Sequence, residues 1–453
     1  MAAASESPAS RSVAGILARQ DRITSWALPW RYLAIIGTGY FFTFYDITDI
    51  GFAIPQIQTQ FHLSGHESTF LALSIGLIGY AVGSVIIGAL ADRFGRFRML
   101  IVTIVLTAIG SFGDAAAGSL TVLIVFRFVT GMGVGADLNL VSTYIGELAP
   151  ARLRGRISVT TFLVGIIGQA VTPFVALALI PDLHNGWRWL FIIGGVIAVI
   201  ALVARFELPE SPRWLALNGK LEEADELVGE MERRAQARGE TLTEPEPAEI
   251  DTRRGFPYGE LLRPPYIGRV IVFLAMWFFW YIGNYGFLGD AADLFKTQGL
   301  KASTLYLAIG AIGYPVGAGI MIAGIDRYER KWLLFASSVV WLAGMLLIAT
   351  AASEAIIIIG AFLASTALGM FLQAAYTYTA ESFPTRARTS GFALCDGIGH
   401  GGGALGGLVL PSVVASASFF FGFAMIGVTG LIAGVIALAG PAASGRSLEL
   451  VSR

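Results

Sequence analysis

The stretch that decides the fold is written twice. Residues Tyr144–Arg156 read YIGELAPARLRGR, and residues Tyr378–Gly391 read YTAESFPTRARTSG. Both run Tyr, then Glu three later, Pro three after that and Arg four further on. Glu147 and Glu381 are 381 − 147 = 234 positions apart, about half of the 453-residue chain. Each copy closes a long apolar segment with charge. A charged phrase that recurs at half-chain spacing, each time at the end of an oily run, predicts two equivalent halves.

The medium follows from composition. Hydrophobic residues make up 55% of the chain and charged ones only 14%. A soluble protein needs more charge than that to cover its surface. Several apolar runs reach the roughly 20 residues that cross a bilayer as a helix. The chain therefore reads as an all-α membrane protein with twelve transmembrane helices in two six-helix, pseudo-symmetric halves. The expected spans lie near 30–56, 68–91, 97–116, 119–147, 156–180 and 187–206, then near 267–290, 302–325, 331–351, 354–381, 389–413 and 416–440. Residues 1–29 form an N-terminal segment, 30–206 the first half, 207–266 a polar linker with short helices, 267–440 the second half and 441–453 a tail. In the linker, Ser211 before Pro212 marks a helix start. The N-terminus is polar and basic without a long apolar core, so it does not read as a cleaved signal peptide. A single cysteine, Cys395, excludes an internal disulfide framework.

Lysines and arginines set the orientation. They follow spans 2, 4, 6, 8 and 10, whereas the other side receives only Arg188, Lys296 and Lys301. By the positive-inside rule both termini and the linker are cytoplasmic, and the protein is a multi-pass protein of the cell membrane. The duplicated phrase then sits at the cytoplasmic end of spans 4 and 10. Parallel repeats about an axis along the membrane normal are one transporter plan, with the substrate between the halves.

Four motifs sharpen this. They are GALADRFGRFR (Gly88–Arg98), RFVTGMGVG (Arg127–Gly135), YIGELAPARLRGR and PESPRWL (Pro209–Leu215). With them the chain resembles the major facilitator superfamily over residues 30–440, and within it the sugar-porter and metabolite:proton symporter group. Gly324–Lys331, GIDRYERK, is an eroded copy of the first motif without its second glycine, which weighs against a symmetric gate. The resemblance implies that Asp92, Arg93, Arg96, Glu147, Arg154, Glu381 and Arg388 form a cytoplasmic gate. Ion pairs act as a switch only if they differ between two states. The bland alternative is that the arginines fix topology and bind lipid head groups.

An ionisable residue at the centre of a span costs on the order of 2.5–3.5 kcal/mol, so those present are candidates for function. Asp46 and Arg127 lie at matched depth below the outer surface, counted at about 1.5 Å per residue. FYDITDIG (Phe44–Gly51) resembles the segment whose aspartate carries the proton beside a span-4 arginine in proton-coupled sugar porters. Asp46 and Arg127 match those positions; the alternative is a permanent ion pair. Asp137 is a second proton site, a ligand for a cationic substrate or a residue hydrogen-bonded within the bundle. Asp396 and His400 share a face of span 11, and His400 has either a substrate or proton role or a packing role beside the glycine run. In span 7, Trp277, Tyr281 and Asn284 share a stripe, and with Tyr285 they form the expected second-half pocket wall. The alternative is a core of aromatics. Gln169 and Gln373 are the remaining amides expected to face a cavity.

Phe162 stands where sugar porters carry a glutamine, and span 7 has no glutamine, so a small organic acid fits better than a hexose. The expected function is proton-coupled secondary transport of a small polar metabolite, organic acid or sugar-like. A passive facilitator and a transporter-like sensor are the alternatives. The sequence contains no Walker motif, zinc-ligand cluster or soluble catalytic domain, so no enzyme is expected. Nor is a cofactor or metal. The expected partners are substrate, protons and the lipid bilayer, with no nucleic acid, around a monomer.

Overall fold

The computed structural model describes residues 12–63, 74–150, 152–180, 182–246, 257–299 and 303–444. Parts of the N-terminal segment, linker and tail, together with Lys301, lie outside the described residues.

Among the described residues, twelve membrane-length helical segments form the bundle. The first six are Trp30–Phe61, Ile75–Phe94, Arg96–Ala116, Leu120–Leu148, Arg154–Leu179 and Gly186–Arg205. The last six are Tyr266–Thr297, Ser303–Gly324, Arg330–Thr350, Glu354–Glu381, Arg388–Ser416 and Phe419–Ala437. They are called spans 1 to 12. Eleven described helices are long and apolar enough to cross a membrane. Span 1 is the twelfth; its 32 residues include Asp46 and Asp49, which dilute its apolar character. At about 1.5 Å per residue it is longer than the bilayer's hydrocarbon core.

Two expected spans are not single helices. Span 8 divides into Ser303–Ala311 and Gly313–Gly324. Span 11 divides into Arg388–Gly399 and Gly401–Ser416, with His400 at the break. The GHGGG run explains this, since glycine gives up more backbone freedom than any other residue when a helix forms.

The halves repeat in detail. Ser119 caps the start of span 4 and Ser353 that of span 10, and 353 − 119 = 234. A Cβ on Gly83 would collide with the carbonyl oxygen of Met132, and one on Gly317 with that of Thr366. Both pairs again differ by 234, since 317 − 83 and 366 − 132 give the same offset. Spans 2 and 4, and their twins 8 and 10, thus pack backbone to backbone. Between the halves, span 2 lies against span 11 and span 5 against span 8.

A small helical cap covers the basic face. It contains Val13–Asp21, Pro212–Leu217 and Leu221–Ala237. Ser211 caps the second of these, with Pro212 in its first turn. The N-terminal helix was not foreseen in the sequence. Ile16 and Leu17 bury against Trp214, Leu215 and Val228. Arg19 and Arg22 both pair with Glu232, at 2.7 and 2.5 Å. Gln20 donates its side-chain amide to the Glu147 carbonyl at 2.7 Å.

Candidate functional site

Arg127 of span 4 is buried between two carboxylates. Its guanidinium lies 3.3 Å from Asp114 and 3.7 Å from Asp46. Thr130 also donates to Asp114, and Ser111 to Asp46, each at 3.2 Å. Asp49 is wholly buried nearby, and neither of its carboxylate oxygens has a hydrogen-bond partner among the described residues. The structure therefore joins Asp46 to Arg127 and adds Asp114, which the sequence reading passed over. Asp114 lay inside the expected third span and was open to the same argument as the other intramembrane charges.

Asp137 belongs to a different arrangement. Arg205, at the end of span 6, grips it through two nitrogens at 2.6 and 2.8 Å. Thr103 donates to the same carboxylate at 2.6 Å. Both charged partners are buried. The pair is bidentate and enclosed, and it is a separate arrangement from the Asp46–Arg127 pair.

The midplane of the second half is aromatic. Asp396 accepts hydrogen bonds from Tyr281 at 2.5 Å and from Tyr80 at 2.7 Å. Tyr281 belongs to the same half, Tyr80 to the opposite one. The His400 ring is sandwiched by these two tyrosines, with centroid distances of 3.6 Å to Tyr80 and 3.8 Å to Tyr281. Its Nδ1 lies 2.7 Å from the Asp396 carbonyl oxygen, which can only accept, so Nδ1 carries the hydrogen. Tyr285 stands 5.5 Å from the same ring.

Among the described residues, two small cavities are found between the halves. One is lined by Asp46, Arg127, Leu77, Tyr80 and Tyr285, among others. The other is lined by Ile47, Gln169, Tyr285, Tyr314 and Ser365, among others, and its volume of about 40 Å³ holds only a few waters. Gln169 and Tyr285 thus reach a cavity. Trp277 instead packs on Tyr281 and Tyr376 and donates to Thr379. Asn284 and Gln373 are buried and line neither of these cavities.

Ion pairs tie the basic face together across the halves. Glu147 meets Arg96 at 2.9 Å and Arg388 at 3.2 Å. Glu381 meets Arg330 at 3.3 Å and Arg154 at 3.5 Å. Asp92 accepts from the Ser390 amide at 2.9 Å, and Asp326 from the Arg156 amide at 2.8 Å. Every member of the first set maps onto the second by the same offset: 330 − 96, 388 − 154, 326 − 92 and 390 − 156 each equal 234. The contacts are thus symmetric, although the eroded second motif weighed against that. The missing glycine falls at Glu329, whose carboxylate accepts from the Ala443 and Ser444 amides, much as Glu210 accepts from Arg96 and Phe97. Arg93 is the exception among the expected gate residues. It is exposed, enters no ion pair among the described residues and lies over the ring of Phe94.

Two carboxyls at this face, outside the spans, are shifted. Burial raises Asp326 and Glu210 above the ordinary carboxylate range, against the pull of the backbone amides that each accepts.

Comparison with known proteins agrees with this architecture. A family model described as sugar (and other) transporter matches residues 32–453. The niacin transporter NiaP of Acinetobacter baylyi is 28% identical over 445 residues, covering 96% of this chain and 99% of that protein. An arabinose-proton symporter of Bacillus subtilis is 30% identical over 319 residues, covering 68% of this chain and 67% of its own length. Among solved structures, the proton:xylose symporter XylE superposes with a TM-score of 0.77 at 22% identity, covering 96% of this chain and 98% of its own. It is a major facilitator superfamily protein, and the likeness extends to the whole fold.

Proposed function

The chain belongs to the sugar (and other) transporter family, and from that premise we propose that it carries a small polar metabolite by alternating access, coupled to protons. Membrane transport is common to its relatives; the coupling and the substrate are our own reading. The observation that carries it is the Asp46–Arg127 pair, buried at 3.7 Å on the wall of a cavity between the halves. A carboxyl placed beside a guanidinium exchanges a proton for that contact, which links its charge to the position of the helices around it.

The basic face is cytoplasmic in this reading, as the positive-inside rule directs, so both termini lie inside the cell. The symmetric ion pairs of Glu147 and Glu381 close that side. They separate when the site opens inward. Asp137 is a structural tie with Arg205, and Arg93 faces lipid head groups. The substrate is an organic acid or a sugar-like molecule; relatives that carry niacin or arabinose bracket that range.

Proteoliposomes test this directly. Currents and tracer uptake would be recorded for niacin, pentoses and other small organic acids, with Asp46→Asn alongside. Substrate-driven inward proton current lost in the variant is the expected result. Uptake with no current and no pH dependence would make the protein a facilitator or an electroneutral exchanger, and Asp46 a structural residue. Binding without uptake would favour a sensor.

A further inference from the structure

Among the described residues, Tyr80 is the first-half side chain that both stacks on His400 and hydrogen-bonds Asp396. Tyr281, Asp396 and His400 all belong to the second half and move with it. Tyr80 comes from span 2, where it is 1% exposed. It makes two contacts there at once. Its ring stacks on His400 at 3.6 Å with an interplanar angle of 26°. Its hydroxyl donates to the second oxygen of Asp396 at 2.7 Å.

The span 2–span 11 seam continues from this point toward the basic face. A Cβ on Gly397 would press on Ser84, one on Gly88 would press on Ala393, and Asp92 holds Ser390. Tyr80, Ser84, Gly88 and Asp92 succeed one another four residues apart, so they share one helix face. Tyr80 is therefore the rung of the seam beside the cavity lined by Asp46 and Arg127.

Consider what the second half presents once the halves part there. Tyr281 still caps one oxygen of Asp396 and one face of His400. The other oxygen and the other ring face lose Tyr80. A carboxylate can only accept hydrogen bonds, and leaving it buried and unpaired is costly. The vacated place asks for two features together: a flat ring at stacking distance and a donor at its edge. A sugar supplies the donor without the flat ring. A plain aromatic supplies the ring without the donor.

We propose that Tyr80 is a tethered stand-in for the transported molecule, and that the second-half site takes a planar ring bearing an N–H or O–H donor. The donor binds Asp396 and the ring stacks on His400. This rests on the reading of the protein as an alternating-access transporter, and it narrows the substrate class within that reading.

The test uses purified full-length protein in detergent and matched probe pairs, with binding followed by thermal stabilisation. Benzamide is compared with N,N-dimethylbenzamide, and 2-pyridone with N-methyl-2-pyridone; D-xylose supplies donors without a flat ring. The donor-bearing member of at least one pair should bind about tenfold tighter than its methylated partner, the worth of one hydrogen bond to a charged group. Tyr80→Phe keeps the ring and removes the competing hydroxyl, so it should tighten that probe by a similar factor. Asp396→Asn should erase the preference between the pair. The inference is overturned if no ring binds, if the methylated partners bind equally, or if Tyr80→Phe weakens binding. Uptake of the same probes into liposomes separates the two levels. Selective ring binding without uptake would sink the transport reading alone. Uptake of D-xylose without ring binding would sink this inference alone.

Discussion

Arg388 reaches across the midline to Glu147, 3.2 Å away. Its twin, Arg154, makes the mirror contact with Glu381 at 3.5 Å. Each glutamate also holds an arginine of its own half, so each is a two-cation hub. Glu147→Gln should release both guanidiniums and shift the protein toward the state open at the basic face. A cysteine placed at Ala393, in a Cys395→Ser background, should then react with a polar thiol reagent at least about tenfold faster, as a shift of about 1.4 kcal/mol requires. Glu381→Gln should act in the same direction. Unchanged reactivity in both would remove the latch from the mechanism.

Asp137 and Arg205 should behave as structure. Asp137→Asn leaves a buried guanidinium without its carboxylate, a loss of about 3–5 kcal/mol in comparable pairs. A marked fall in melting temperature is expected, partly recovered by adding Arg205→Met. Protein that folds should keep its proton-dependent uptake. Normal stability with lost pH dependence would return Asp137 to the proton path.

The glycine twins give a packing test. Gly83→Ala and Gly317→Ala each force a methyl group into a facing carbonyl. Each should cost about 1–3 kcal/mol through overpacking. Gly319 has open space around it, so Gly319→Ala should be neutral or slightly stabilising. Melting curves of the three variants in one detergent check the order. Equal values for all three would mean that the close approach of the spans is not real.

Glu210 makes a pH prediction at the basic face. Burial holds its carboxyl above the ordinary glutamate value in the folded protein. Its share of stability is thus full below the unfolded value and is lost as pH rises through the raised one. Glu210→Gln should flatten this part of the stability-against-pH curve, measured by thermal unfolding. A wild-type curve that rises with pH across that window would contradict the assignment.

How much of this was legible beforehand depended on the kind of signal. The spans were readable because apolar length is set by the bilayer, and span 10 came out with its expected ends, Glu354 and Glu381. Asp46 and Arg127 were readable because buried charge is rare enough to stand out. Asp326 and Arg330 were written in the sequence at the repeat offset from Asp92 and Arg96, but the lost glycine at Glu329 obscured them. Tyr80 left no signal at all. A tyrosine in an apolar helix is ordinary, and its role depends on Asp396, which lies 396 − 80 = 316 residues downstream. The break at His400 was similarly hidden, because glycine runs are common in membrane helices and only packing decides whether one interrupts the helix.

The helix Val13–Asp21 leaves the ribosome ahead of the spans, yet Asp225 and Glu232, which hold Arg19, are made more than 200 residues later. Six spans must therefore be inserted before that helix can dock. Until then Gln20 cannot be held in place by the cap while it contacts the Glu147 carbonyl. Assembly of the basic face is thus ordered by synthesis: the first half is threaded into the bilayer with its ion pairs uncapped, and the linker covers them from behind.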